Sequence, residues 1–293
     1  MRWEGRREST NVEDRRGMSS RMVVGGGIGT LLLAALIYFM GGDPTVVLNQ
    51  AGTAPSSTQS GEYRPSPEEQ KLASFVKVVV ASNEDVWGRV YAAQGKPYRN
   101  PTMVLYSGQV TSACGMANAA MGPFYCPGDQ KLYLDLNYLG RMEQQLRSNV
   151  SFKKAGDFAL AYIVSHEFGH HIQTLMGISD ALNTWRRQMD ARSFNQRQVR
   201  FELQADCLAG IWAHDAEKSS PGLLEVGDIE NAIKVANVVG DDRIQGQLQG
   251  RVRPDTFTHG TSEQRMSWFY QGYRSGSGNV GACNTFQLPD PQF

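Results

Sequence analysis

His166-Glu-Phe-Gly-His170 interrupts an apolar run, with Ala159-Leu-Ala-Tyr-Ile-Val-Ser165 before it and His171-Ile-Gln-Thr-Leu175 after it. Ala161, Val164, Phe168, Ile172 and Leu175 recur at spacings of three and four, the period of an amphipathic helix, and Gly177 supplies its stop. On such a helix, positions four apart share a face with Cβ atoms about 5–6 Å apart. Two imidazoles at 166 and 170 can therefore reach one metal ion. Glu167 stands one step round the helix, so it cannot ligate in the same way, but it can reach a water at that ion.

This is the H-E-x-x-H spacing of zinc metalloproteases. A tetrahedral catalytic zinc takes three protein ligands and keeps one position open. The candidates for the third are His171, Glu202, Asp206, His214 and His259. His171 points about 100° away from His170 and is a poor one. The stretch Arg200-Phe-Glu-Leu-Gln-Ala-Asp-Cys-Leu-Ala-Gly-Ile-Trp212 reads as a second helix with Glu202 and Asp206 on one face. Leu203, Ala205, Leu208, Ala209, Ile211 and Trp212 make that helix apolar nearly all round, and two carboxylates in such a setting need partners. Either can ligate the metal while the other holds a ligating histidine by its remaining ring N–H.

Working outward, the rest of the chain divides into four parts. Residues 1–21 form a polar tail in which six Arg face four acidic residues, a net of +2. Residues 22–42 (Met-Val-Val-Gly-Gly-Gly-Ile-Gly-Thr-Leu-Leu-Leu-Ala-Ala-Leu-Ile-Tyr-Phe-Met-Gly-Gly) carry no charge over 21 positions, the length of one membrane-spanning helix. Arg15, Arg16 and Arg21 flank this run on its N-terminal side. The positive-inside rule then predicts a cytoplasmic tail and an extracytoplasmic or periplasmic remainder. No A-x-A-like site follows, which favours an uncleaved single-pass anchor over a signal peptide. Residues 43–65, rich in Gly, Ser, Thr, Pro and Gln, read as a flexible linker. Ser66-Pro-Glu-Glu69 is a capping box with Pro at the first helical position, so the folded domain is expected over 66–293.

Within that domain, residues 68–94 read as a helix and Thr102–Tyr106 as a strand. Phe124–Cys126 and Leu132–Asp135 flank Pro-Gly-Asp-Gln as a hairpin, and helices dominate from Asp157 onward. The expected class is α+β: a mainly helical domain with a small sheet, after one transmembrane helix. Over 293 residues, 29 Lys+Arg balance 29 Asp+Glu and aromatics make up 10 %, which excludes a disordered chain and leaves no overall basic excess to point to nucleic acid as a partner. A mean hydropathy of −0.39 excludes a polytopic membrane protein.

The 4 cysteines all follow the apolar run. An extracytoplasmic domain permits disulfides, and of the three possible connectivities Cys114–Cys126 and Cys207–Cys283 are the expected ones. The first closes a short Gly/Ala-rich loop, and the second ties the C-terminal tail to the Asp206 helix.

His166-Glu-Phe-Gly-His-His-Ile-Gln173 together with Glu202-Leu-Gln-Ala-Asp-Cys207 resembles the bacterial membrane-anchored family of neutral zinc metallopeptidases. The resemblance extends to the opening Met1-Arg-Trp-Glu-Gly-Arg-Arg, to Cys114-Gly-Met-Ala117, to Phe124-Tyr-Cys-Pro127 and to Thr258-His-Gly-Thr-Ser-Glu-Gln-Arg265, so it covers nearly the whole chain. The Glu-x-x-x-Asp arrangement is also similar to the gluzincin group. That similarity implies a zincin-like fold, with Glu202 as third ligand to one Zn²⁺ and Asp206 orienting a histidine. It implies hydrolysis of a peptide or protein substrate with Glu167 as general base. His259 is a candidate donor to the oxyanion. The competing function is a catalytically weak, metal-stabilised binding or scaffold domain.

Overall fold

The computed structural model describes residues 1–17, 63–118, 122–148, 156–225, 227–229 and 257–287. Met1–Arg15 and Pro65–Phe293 form one compact unit. Along the chain run β1 (Val12–Asp14), α1 (Pro67–Ala93), β2 (Thr102–Tyr106), β3 (Gln109–Ser112), β4 (Gly115–Asn118), β5 (Phe124–Cys126) and β6 (Lys131–Asp135). There follow α2 (Leu136–Ser148), α3 (Gly156–Leu175), α4 (Ile178–Gln188), α5 (Ala191–Ser219), α6 (Ser262–Ser275) and two single 3₁₀ turns, Val280–Cys283 and Thr285–Gln287. The fold is mixed α and β.

Helix α1 starts where its capping signal places it. Ser66 Oγ accepts from Glu69 N at 3.1 Å, and the Glu69 carboxylate accepts from Ser66 N at 2.9 Å. The sheet has strand order β1-β2-β6-β5. β1, β2 and β6 are parallel, and β5 returns antiparallel to β6 through Pro127–Gln130, the expected hairpin. Met103, Val104 and Leu105 in β2 and Leu132, Tyr133 and Leu134 in β6 are all buried, the continuous burial of interior parallel strands covered on both faces. β3 and β4 form a separate antiparallel ribbon.

The first fifteen residues depart from the tail expected of them. Met103 N donates to Asn11 O at 3.1 Å and Arg15 N to Leu105 O at 2.8 Å, which sets β1 beside β2. Ser9 N donates to Lys77 O at 3.0 Å, and Arg7 Nη2 donates to Ala81 O and Asp85 Oδ1 at 2.9 and 2.8 Å. The Trp3 ring meets Phe75 edge-on, with centroids 5.5 Å apart. Counting charges shows the arginines of this segment but not the acidic side chains and carbonyls that α1 offers them. Among the described residues no helix is long and apolar enough to cross a membrane. The expected span at 22–42 and nearly all of the linker lie outside the described residues.

Glycines set the helix spacing. A Cβ on Gly169 of α3 would lie 2.9 Å from the Ala205 backbone of α5. A Cβ on Gly210 of α5 would lie 2.0 Å from Phe269 O, and one on Gly272 of α6 would lie 1.8 Å from Cys207 O. Here α5 and α6 cross backbone to backbone, and this close approach carries Arg265 toward Asp206. Gly272→Ala must force the helices apart. It should cost at least about 1–3 kcal/mol, or a fall of several degrees in Tm by calorimetry; an unchanged Tm would mean that the crossing is looser than drawn.

Both disulfides form, Cys114–Cys126 and Cys207–Cys283, and no free cysteine remains. In the chain-entropy treatment they stabilise by about 3 and about 4 kcal/mol, the larger value belonging to the longer loop. The second fastens the last turns of the described chain to the middle of α5.

Candidate metal centre

Helices α3 and α5 supply the site. His166 and His170 project from one face of α3 and Glu202 from α5, with one ligand atom from each lying within 4.8 Å of the others. Glu202 Oε2 is 3.1 Å from His166 Nε2 and 3.4 Å from His170 Nε2. Its other oxygen, Oε1, accepts from Gln198 Nε2 at 3.0 Å, which turns Oε2 toward the imidazoles. The side chains are only 9, 12 and 8 % exposed.

The second ring nitrogen of each histidine decides what the first can do. His166 Nδ1 donates to Asp206 Oδ1 at 2.7 Å. His170 Nδ1 donates to Gln173 Oε1 at 2.8 Å, because Gln173 Nε2 is committed to Phe201 O at 2.6 Å and Gln204 Oε1 at 3.0 Å. Gln204 Nε2 in turn donates to Cys283 O at 3.0 Å. Both Nε2 atoms therefore face the same carboxylate oxygen. In a nearly dry site this convergence needs positive charge, carried by ring protons in the metal-free protein and by an ion once one binds. Two imidazole nitrogens and a carboxylate, each held from behind, fit zinc.

Charge and burial agree with this. Burial alone would lower the His166 pKa, but Asp206 and Glu202 outweigh it and lift it to about 10 in the metal-free protein. His170 is also raised, burial being overcome by Glu202. Burial works against ionising Glu202, yet His170 and His166 hold it well below the usual carboxylate range. Metal uptake must displace the imidazole protons. Zinc added at pH 7 in weak buffer should therefore release between one and about two protons per ion, read with an indicator dye. Zinc binding without proton release would contradict the assignment. The sign for stability follows. Charged imidazoles with raised pKa values support the metal-free fold fully below about pH 6.5, and that support is lost as pH rises toward about 10.

Asp206 is fully buried at the centre of a network. Besides His166, its Oδ1 accepts from the Tyr162 hydroxyl and from Arg265 Nη2 at 3.0 Å, and its Oδ2 accepts from Arg265 Nε at 2.9 Å. Burial opposes its charge, but the Arg265 guanidinium and His166 keep it ionised. The sequence offers Arg265 two roles, pairing with an acid near the site or, the more expected, a surface position; it is 6 % exposed and bidentate to Asp206. Tyr162, Gln173 and Gln204 also escape motif reading. For Tyr162 and Gln173 the signal was present, since 162, 166, 170 and 173 share one α3 face; Gln204 stands on α5.

The remaining histidines separate. His171 turns away: its Nε2 donates to Arg99 O at 2.7 Å, so its Nδ1 accepts from Tyr125 OH at 3.1 Å, and burial lowers its pKa to about 4. His214 packs against Tyr273. His259 is exposed and, with Glu167, lines the cleft above the cluster. That cleft has a volume of about 620 Å³ and is walled by Phe124 and Tyr125 of β5, Leu182 of α4 and Phe201 of α5. A second cavity of about 520 Å³, beside Trp3 and Phe75, holds none of the cluster residues.

Two imidazoles and a carboxylate from two helices, with a second carboxylate behind one imidazole, make a donor set that fits zinc. The chain belongs to the family described as "Putative neutral zinc metallopeptidase", whose model matches residues 1–286. It is 42 % identical to the Escherichia coli (strain K12) protein YpfJ over 293 residues, 98 % of this chain and 99 % of that one. It is also 42 % identical over 201 residues to Rv2575 of Mycobacterium tuberculosis, covering 66 % of this chain and 64 % of that protein. Both relatives are named only as uncharacterized proteins. No solved structure matches.

Proposed function

We propose that this protein is a membrane-associated zinc metallopeptidase. The observation that carries the reading is the convergence of His166 Nε2, His170 Nε2 and Glu202 Oε2 at the foot of a cleft lined by Glu167. His166, His170 and Glu202 would hold the ion, and Asp206 and Gln173 fix the two imidazole tautomers from behind. Zinc there supplies Lewis acidity toward the scissile carbonyl and a water of lowered pKa.

The chain's own residues do the rest. Glu167 takes a proton from the attacking water and returns it to the leaving amine. His259, at the cleft wall, donates to the developing oxyanion. Thr258 Oγ1 lies 3.0 Å from its Nδ1. β5 is an edge strand whose outer side pairs with no strand among the described residues, and it borders the cleft. An extended peptide would add there as a further strand, its side chains meeting Phe124, Tyr125 and Phe201. The apolar run 22–42 is the membrane-binding element.

The test uses the full chain with its disulfides intact. Metal content is measured, and cleavage of a random peptide library is mapped by mass spectrometry. Cleavage should vanish with 1,10-phenanthroline and return with zinc. Zinc bound without cleavage would replace this reading with the scaffold one. Failure to bind zinc after loading would remove both.

A further inference from the structure

We infer that the cleft selects its ligands by a carboxylate, which Arg186 receives on the α4 wall; the inference rests on reading that cleft as a peptide site. Ser179, Leu182, Asn183 and Arg186 all line the cleft. Their spacings of three and four put them in one row along α4. The row begins beside the metal-bearing part of α3. Thr174 Oγ1 donates to His170 O at 3.2 Å and shares a 2.7 Å hydrogen bond with Ser179 Oγ. Arg186 closes the row about 10 Å further along the helix axis. A group held there lies away from the reacting atoms, so it acts on which peptide binds and not on the chemistry.

Other arginines of the fold meet acids: Arg2 lies 3.0 Å from Glu225, Arg7 2.8 Å from Asp85 and Arg265 2.9 Å from Asp206. Arg186 is exposed and, among the described residues, has no carboxylate within ion-pair reach. Its guanidinium carbon stands 5.0 Å from the centroid of the Phe194 ring. That ring steadies the cation without supplying an acceptor oxygen. The neighbouring sequence supplies none either. Residues 186–200 hold Arg186, Arg187, Arg192, Arg197 and Arg200 against one acid, Asp190. The two oxygens of Asp190 accept from Ser193 N and Oγ at 3.0 and 2.7 Å. The other charges of the cleft are committed: Glu202 to the metal cluster, Glu167 to proton transfer, Arg265 to Asp206. A guanidinium left over in a cleft with apolar walls takes a carboxylate through two parallel N–H donors. A peptide presents that group in two ways, as an Asp or Glu side chain and as its own C-terminus.

The experiment is fluorescence anisotropy on the zinc-loaded full chain carrying Glu167→Gln, so that bound peptide is not consumed. The probes are a rhodamine-labelled peptide of Ala, Phe and Gln with an amidated C-terminus, its twin with Glu in place of Gln, and the Gln form with a free C-terminal carboxylate. A carboxylate-bearing form should bind about fivefold tighter than the neutral one, the upper end for an ion pair with an exposed partner. The gap should close in high salt. Whichever form gains identifies the source of the carboxylate. Arg186→Gln should erase the gap and Arg186→Glu invert it, with zinc content unchanged in both. Arg187→Gln, at an exposed position outside the cleft lining, should keep it. Equal binding of the three probes would overturn the inference. So would a gap that survives Arg186→Gln, or one that falls as far in Arg187→Gln. If the wild-type chain cleaved no peptide while the Arg186-dependent gap held, the peptidase reading would fail and the carboxylate site would stand.

Discussion

Glu167→Gln should abolish peptide hydrolysis while leaving zinc in place. The substitution keeps the side chain's size and removes only its capacity to accept a proton, so the loss in kcat should be at least about 10²–10⁴-fold. Zinc content should not change, because the ligand atoms come from His166, His170 and Glu202. A scaffold domain has no use for a base beside its ion, so the same variant would then be silent in every assay. Parallel metal analysis and single-turnover cleavage separate the cases. Zinc-loaded Glu167→Gln cleaving within a few-fold of wild type would sink the general-base assignment without touching the metal site. Glu167→Asp is the companion variant. It retains a carboxylate but withdraws it by one methylene, and it should recover only part of the rate.

What the sequence could disclose here depended on how local the signal was. The capping box at Ser66, the Pro127–Gln130 turn and the αL stop at Gly177 are encoded within four or five residues, and each fell where read. His166 and His170 are coupled by one helical turn. Glu202 was reachable because a second helix with two carboxylates in apolar surroundings must satisfy them somewhere. The assignments that failed or were missed need distant partners. Arg265 reads as a surface cation until α6 crosses α5 at Gly210 and Gly272 and delivers it to Asp206. β1 is three residues long and two of them are acidic, so no propensity marks it as a strand. It exists because β2 offers it a backbone edge and Lys131 a counter-charge. Tail charges and strand charges look alike in composition, and only tertiary partners distinguish them.

The Asp206–Arg265 pair gives the second large effect, and it separates stability from metal binding. Both groups are buried, and each offsets the burial penalty on the other's charge. Removing either takes away the other's strongest buried partner, which costs up to about 3–5 kcal/mol. Asp206→Asn and Arg265→Met should each lower Tm by about 10 °C for a domain of this size. The double variant should lose far less than the sum, since neither orphan charge remains. Zinc affinity should divide differently. Asp206 holds the Nδ1–H of His166, so Asp206→Asn should weaken zinc by about 10–100-fold. Arg265→Met leaves that carboxylate beside His166 and even raises its basicity, so affinity should hold or rise while stability falls. Competition with a chromogenic chelator and calorimetry on the same four proteins measure both quantities. If the two single variants lost zinc equally, Arg265 would be acting on the metal directly and not through Asp206. If the stability losses simply added, the two charges would be solvated independently, and the bidentate contact seen between α5 and α6 would not be the one that holds the helices together.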